Sequence, residues 1–284
     1  MSAPFDQLLD ATVRHLQELK AGGTRFVSVS SETLQALAAA PAAPQKISAP
    51  PRPAPPTLAP VPVAPRATSS NSAKALAMAE LRARALVCMK CPHLAASRRN
   101  VVFGVGNLDA ELMFVGEAPG ADEDRQGEPF VGRAGELLTK IIQATGLGRE
   151  SVYIANILKC RPDTPGQTSG NRKPTPEEMA TCIPYLHEQI DLIRPRVLVA
   201  LGATAVEGLL GKTVGITRLR GTWHTYRDIP LMPTYHPSYL LHNQAVSEKR
   251  KVWEDMLAVM EKLALPISEK QRSFFTAIPP GLKK

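Results

Sequence analysis

No stretch of this 284-residue chain approaches the about 18 consecutive apolar residues that a membrane-spanning helix needs, so a bilayer-embedded protein is not expected. The first 20 residues also lack the basic start, apolar run and small-residue cleavage site of a secretory signal, and a cytoplasmic location is expected. There is no acidic residue between Glu32 and Glu80, and no aromatic one in 38–72. Ten of the 26 prolines fall between Pro41 and Pro65 instead. Such a segment cannot bury enough apolar surface to offset its chain entropy, so 38–72 reads as a disordered, extended linker. Ahead of it, Phe5, Leu8, Leu9, Ala11, Val13, Leu16 and Leu19 lie near one face of a short amphipathic helix within an extension, 1–37, that offers a docking element for the domain or for a partner. The remainder divides into one domain of ordinary size, 73–268, and a tail, 269–284.

The whole chain is 44% apolar and 21% charged, as in a globular protein, and its net charge is +8. A basic balance favours a polyanionic partner without naming it. Apolar runs at 112–115, 152–155, 197–201 and 230–234 alternate with helical patterns at 134–145, 175–193 and 203–210. Two further helices are expected, at 72–87 and 247–265, and Thr175 with Glu178 forms a capping box. Strands separated by helices at this spacing imply a three-layer α/β/α sandwich with a central four-stranded parallel sheet, plus a disordered N-terminal extension. A ligand site then belongs beyond the carboxyl ends of the strands.

The chain has neither a Walker A loop nor a GxGxxG fingerprint, which argues against a nucleotide-cradling loop. The residues just after each strand are nonetheless unusual. Gly116-Glu117-Ala118-Pro119-Gly120 leaves the first strand, Asn156 the second, Gly202 the third and His236-Pro237-Ser238 the fourth. Gly116 permits a sharp exit, Pro119 and Gly120 stiffen a loop whose amides can face a flat polar ligand, and Phe130 reads as an aromatic platform. Asn156 can pair with an imide edge through its donor and acceptor, and His236 can donate to a developing negative charge. Cysteine is scarce: Cys88, Cys91, Cys160 and Cys182. A structural disulfide is not expected in a cytoplasmic protein. The Cys88-Met89-Lys90-Cys91 spacing suits two thiolates on one centre, and with two dispersed partners both zinc and an iron–sulfur cluster fit.

Taken together, Gly116-Glu117-Ala118-Pro119-Gly120 with Glu123-Asp124, Pro129-Phe130-Val131-Gly132, Asn156 followed by Cys160-Arg161-Pro162, the run from Asn171 to Glu178, and His236-Pro237-Ser238 resemble the uracil-DNA glycosylases of family four. The resemblance covers about 88–253. It implies a monofunctional hydrolase that releases uracil from single- or double-stranded uracil-containing DNA and starts base-excision repair. A monomer at the nucleoid is then expected, with a repair or replication partner engaged through the N-terminal helix. It implies that the four cysteines hold a structural [4Fe–4S] cluster. Among the site residues it implies that Phe130 stacks on uracil, Asn156 binds the imide edge, the backbone of Gly116, Ala118, Pro119 and Gly120 contacts the carbonyls, Glu123 crowds a C5 methyl, and His236 donates to O2. Ala118 stands where related families carry an aspartate, so Glu117 and Asn171 are the candidates for orienting water. The segment 163–170 is longer than the usual family loop, and the elements of the related proteins that trap uracil DNA covalently are missing. Arg161, Arg172, Lys173, Arg218 and Arg220 are expected on phosphates, and Leu240 or Leu241 as a wedge in the vacated stack. Two other functions fit fewer of these residues: a non-catalytic nucleic-acid module stapled by zinc or a cluster, and a glycosylase for another deaminated base.

Overall fold

A computed structural model describes residues 68–163 and 171–276. The amphipathic segment near the amino terminus and nearly all of the expected linker lie outside the described residues. Helix α1 (Thr68–Leu86) begins inside the stretch assigned to the linker, and α2 (Pro92–Ser97) follows the CxxC turn. The succeeding elements are β1 (Val105–Gly106), β2 (Leu112–Gly116), α3 (Ala121–Gln126), α4 (Arg133–Ala144), β3 (Tyr153–Asn156), α5 (Pro176–Ile193), β4 (Val197–Leu201) and α6 (Ala203–Leu210). The described part ends with α7 (Ile216–Leu219), β5 (His224–Tyr226), β6 (Ile229–Thr234), α8 (Pro237–His242), α9 (Val246–Lys262) and α10 (Glu269–Arg272).

The sheet has six strands in the order β1-β3-β2-β4-β6-β5. Strands β3, β2, β4 and β6 pair in parallel, while β1 joins β3 and β5 joins β6 antiparallel. The expected purely parallel sheet of four strands is therefore corrected to a mixed sheet of six. Both added strands are short edges. β1 is two residues long, and β5 is a polar turn of chain folded back through Arg227 and Asp228, whose φ angles of 50° and 62° make the tight reversal. β6 carries Pro233 beyond the last residue that β5 covers, where no neighbour on that side asks for its missing N–H.

Side chains alternate between the two faces. Met113, Val115, Tyr153, Ala155, Leu198, Ala200 and Leu231 pack under α1, α5 and α6. Leu112, Phe114, Ile154, Val197, Val199, Leu201 and Met232 pack under α4 and α9. Because both faces are covered, the four parallel strands are continuous apolar runs. The Thr175 and Glu178 capping box opens α5 as expected, with the Glu178 carboxylate reaching back to the Thr175 N–H at 2.8 Å. The domain also extends past residue 268. Trp253 Nε1 donates to the Gln271 carbonyl at 2.6 Å, and Gln271 Nε2 donates to the Ala144 carbonyl at 2.8 Å, so α10 is tied to the body and is not a free tail.

Candidate active site

Four strands point their carboxyl ends at one cavity of about 430 Å³. Glu117, Ala118, Pro119, Gly120, Glu123, Phe130, Asn156, Asn171 and His236 all line it. Gly116 lies just behind the wall. A Cβ there would come within 2.3 Å of Asn156 Oδ1 and 2.6 Å of Phe130 Cζ, so glycine is what lets the platform and the amide close on the end of β2.

Phe130 is buried and has φ 54°, in the left-handed region that a bulky side chain occupies at a cost of about 1–2 kcal/mol. Its ring lies 5.6 Å from that of His236, tilted by 33°. The backbone around it is held from two sides. Gly135, in the first turn of α4, is flush against it, since a Cβ there would fall 1.8 Å from the Phe130 carbonyl oxygen. Glu123 Oε1 accepts from the N–H groups of Val131 and Gly132, both at 3.0 Å, while its Oε2 accepts from the Gly120 N–H at 3.1 Å. Glu123 thus clips the two loops together, and its carboxylate is a fixed part of the wall.

Asn156 ends β3 almost fully buried, and its Oδ1 has no hydrogen-bond partner among the described residues. A buried acceptor left open costs roughly 1–3 kcal/mol, which a donor on a bound ligand recovers. Its main chain is pinned by Lys159, a buried ammonium that donates to the Asn156 carbonyl at 3.0 Å and to Gln189 Oε1 at 2.7 Å. Burial pulls the Lys159 ammonium down to about 8.

His236 caps α8. Its Nδ1 accepts from the Ser238 N–H at 3.2 Å and stands 2.6 Å from the Ser238 hydroxyl, which leaves the ring proton on Nε2. Burial pushes the imidazole down to about 4, against the pull of the Glu123 charge, so a neutral N–H donor faces the pocket region at ordinary pH. Asn171 enters from the other side, its Oδ1 accepting from Arg161 Nε at 2.9 Å. The Glu117 carboxylate has no hydrogen bond or ion pair to any described residue, while the N–H of Leu158 fixes its main-chain carbonyl at 3.1 Å.

Several expected contacts come out differently. Arg220 is mostly buried and pairs with Asp255, which also accepts from Thr234 Oγ1 at 2.6 Å, so it braces the end of β6 and is not presented to DNA. Leu240 is buried against Tyr235 and Val252, which removes it as a wedge, while Leu241 is only half-buried. Arg172 lines the pocket but is engaged by Glu178, whose carboxyl it draws down to about 2. Lys173 pairs with Glu207 near the surface, and Arg218 is exposed. Thr204, in the first turn of α6, lines the pocket and was given no role from sequence. The rule that ligands collect at strand ends would have flagged it through Gly202.

Below the end of β3, Cys88, Cys91, Cys160 and Cys182 line a second cavity of about 20 Å³ with Leu94, Leu158 and Tyr185. None is in a disulfide. Arg98 Nη1 donates to Cys160 Sγ and the Lys159 N–H to Cys182 Sγ, both at 3.2 Å. Burial raises the thiols of Cys91 and Cys160 and takes that of Cys182 to about 11. Among the described residues no three His, Cys, Asp or Glu side chains close on one point as a single metal ion requires. The four cysteines share the lining of one cavity, and soft donors of which two accept from N–H groups have the chemistry of a thiolate-held centre.

The family model of the uracil DNA glycosylase superfamily matches residues 103–257. The chain belongs to that superfamily. The matched span contains every residue of the larger cavity, whereas Cys88 and Cys91 precede it. Among curated superfamily members, the type-4 uracil-DNA glycosylase of Thermotoga maritima is 50% identical over 173 residues, covering 60% of this chain and 85% of the relative. The type-4 enzyme of Archaeoglobus fulgidus is 43% identical over 57% of this chain and 82% of its own. That of Saccharolobus solfataricus is 42% identical over 62% and 82% respectively. No helix among the described residues of this superfamily member is long and apolar enough to cross a membrane.

Proposed function

We propose that this chain is a uracil-DNA glycosylase that hydrolyses the N-glycosidic bond of deoxyuridine in DNA, releases uracil, leaves an abasic site and so starts base-excision repair. The observation that carries the reading is the buried, unpartnered Asn156 Oδ1 beside the Phe130 ring, a floor that wants one N–H donor under a flat ring. The N3–H of uracil is such a donor. The scissile bond cannot be reached inside a duplex, so the nucleotide enters the cavity unstacked.

Phe130 stacks on the base, Asn156 reads its imide edge, and the main chain of the 116–120 loop meets its carbonyls. The Glu123 carboxylate, locked by three N–H groups, stands as a rigid wall against a C5 methyl. As the bond from N1 to C1′ breaks, its electron pair stays on the base, and His236 Nε2–H stabilises the charge that gathers on O2. A neutral imidazole suits this task because it keeps its proton throughout. Water adds to the oxocarbenium-like C1′, oriented by Glu117, whose carboxylate is free of protein partners among the described residues, and by Asn171, and the proton it sheds ends on the departing uracil anion.

Cys88, Cys91, Cys160 and Cys182 would hold a [4Fe–4S] cluster, supported by their lining of one common cavity and by the N–H groups that reach Cys160 and Cys182. When bound, it supplies a covalent staple joining the end of α1, the turn after β3 and the start of α5. Arg161 stands beside Asn171 and would meet phosphates of single- or double-stranded DNA, whereas Arg172 and Lys173, held by Glu178 and Glu207, would reach them only by sharing those carboxylates; the enzyme is taken to work at the nucleoid as a monomer. Glu117→Gln, Asn171→Ala and His236→Ala, assayed on a uracil-containing oligonucleotide by alkaline strand cleavage, test the roles. Slowed cleavage supports them, and wild-type cleavage by all three would refute the site.

A further inference from the structure

Arg149 lies in the segment between α4 and β3, outside every motif of the site. Its Nη2 donates to the Pro129 carbonyl at 2.8 Å and its Nη1 to the Phe130 carbonyl at 3.1 Å, with Thr139 Oγ1 3.3 Å from the same nitrogen. It forms no ion pair with a carboxylate among the described residues: burial lowers its pKa, and the Glu128 charge acts on it only from a distance. A half-buried guanidinium usually keeps a carboxylate partner, because its charge loses hydration. Here the planar fork is given over to two successive carbonyls, and the second belongs to a residue in the left-handed region at φ 54°. Nothing at Phe130 itself favours that conformation. Gly135 only makes room for the carbonyl, and Glu123 holds the N–H groups after it.

We infer that Arg149 is a positioning residue: its two-pronged hold on the carbonyls of Pro129 and Phe130 keeps the Phe130 ring in its left-handed, base-stacking pose. The inference rests on the reading that Phe130 stacks on uracil. Relaxation of residue 130 to an ordinary φ would swing the ring away from Asn156 and His236, opening the slot without altering any group that carries charge in the reaction. A lysine can reach one carbonyl but cannot span both, so charge alone does not replace the fork.

The test uses the full chain with four variants, Arg149→Met, Arg149→Lys, Phe130→Ala and the double variant Arg149→Met with Phe130→Ala. Inhibition by free uracil and the single-turnover release rate from a uracil oligonucleotide are measured, beside affinity for uracil-free DNA and the thermal midpoint. The expected result is that Arg149→Met weakens uracil inhibition about tenfold and slows release, with affinity for uracil-free DNA unchanged. Arg149→Lys should fall between it and the wild type. In the Phe130→Ala background, Arg149→Met should cost less than about a further twofold, because it acts through a ring that is already gone. Losses that multiply in the double variant, or wild-type uracil inhibition in Arg149→Met, would overturn the inference. If Arg149→Met does not fold, the same cycle with Arg149→Lys decides in the same way. A Phe130→Ala variant with unchanged uracil inhibition would instead sink the stacking reading on which the inference stands.

Discussion

The pocket and the cysteine cavity are built on the same short stretch of chain, since Asn156 closes β3 into one and Cys160 turns into the other. They are otherwise opposites. The pocket measures about 430 Å³, and it contains an acceptor without a partner, an aromatic residue at a positive φ and an imidazole driven down to about 4. The cysteine cavity, about 20 Å³, is packed by Leu94, Leu158 and Tyr185, with N–H groups already turned toward two of its sulfurs. At the pocket an open acceptor and a left-handed aromatic residue stand side by side, whereas in the cysteine cavity two of the sulfurs already accept from N–H groups. Lys159 stands between the two, its main-chain N–H on Cys182 and its ammonium on the Asn156 carbonyl.

The largest expected effect comes from breaking the holding region. Cys182→Ala should remove the visible charge-transfer absorbance of the purified protein and lower its stability by more than about 4 kcal/mol, read by thermal or urea unfolding. A stable, colourless and fully active variant would show that the cysteines do not act as a staple.

Next is the working region. His236→Ala should slow base release about 10²–10³-fold while leaving the unfolding midpoint near the wild type's, measured in single-turnover assays. The pH profile sharpens the same point. With its pKa lowered from 6.5 to about 4, His236 stays neutral across the usual range, so the release rate should show no break near pH 6.5. The stability link has a definite sign. Between about 6.5 and 4 the unfolded chain takes up a proton here and the folded chain does not, so this group makes folding less favourable as pH falls through that window. His236→Ala should flatten that part of the stability curve.

Phe130→Ala should cost about 1–3 kcal/mol in affinity for free uracil, with little change for uracil-free DNA. The smallest effect is expected from removing residues 1–67, which precede α1. Purified protein lacking them should release uracil at the full rate, and a large loss would place part of the machinery in that segment.

Much of this fold is written in the sequence where burial on both sheet faces demands it. The parallel strands stand out as unbroken apolar runs, β4 and α6 at the residues expected and the others within a residue or two. The edge strands escape because neither needs such a run. Val105–Gly106 is two residues long, and His224–Tyr226 is mostly polar, joined by an Arg227-Asp228 reversal that lacks the usual glycine. Within the site, residues next to strand ends were legible, since topology alone brings them together. Arg149 was not, because its role depends on two carbonyls some twenty residues away in the chain. Arg220 and Leu240 misled for a related reason: a basic residue and a leucine near a DNA-facing motif look the same in sequence whether they face solvent or, as here, Asp255 and Tyr235.

The central claim is that the cavity at the strand ends cuts the bond between uracil and deoxyribose. Its most direct measurement is the appearance of free uracil, by chromatography with mass detection, when the purified full chain meets single- and double-stranded oligonucleotides that differ only in carrying uracil or thymine at one position. Uracil should be released stoichiometrically, with an alkali-labile site left in its place and no thymine released. Intact uracil strands after prolonged incubation with protein whose cysteine-held centre is loaded would contradict it.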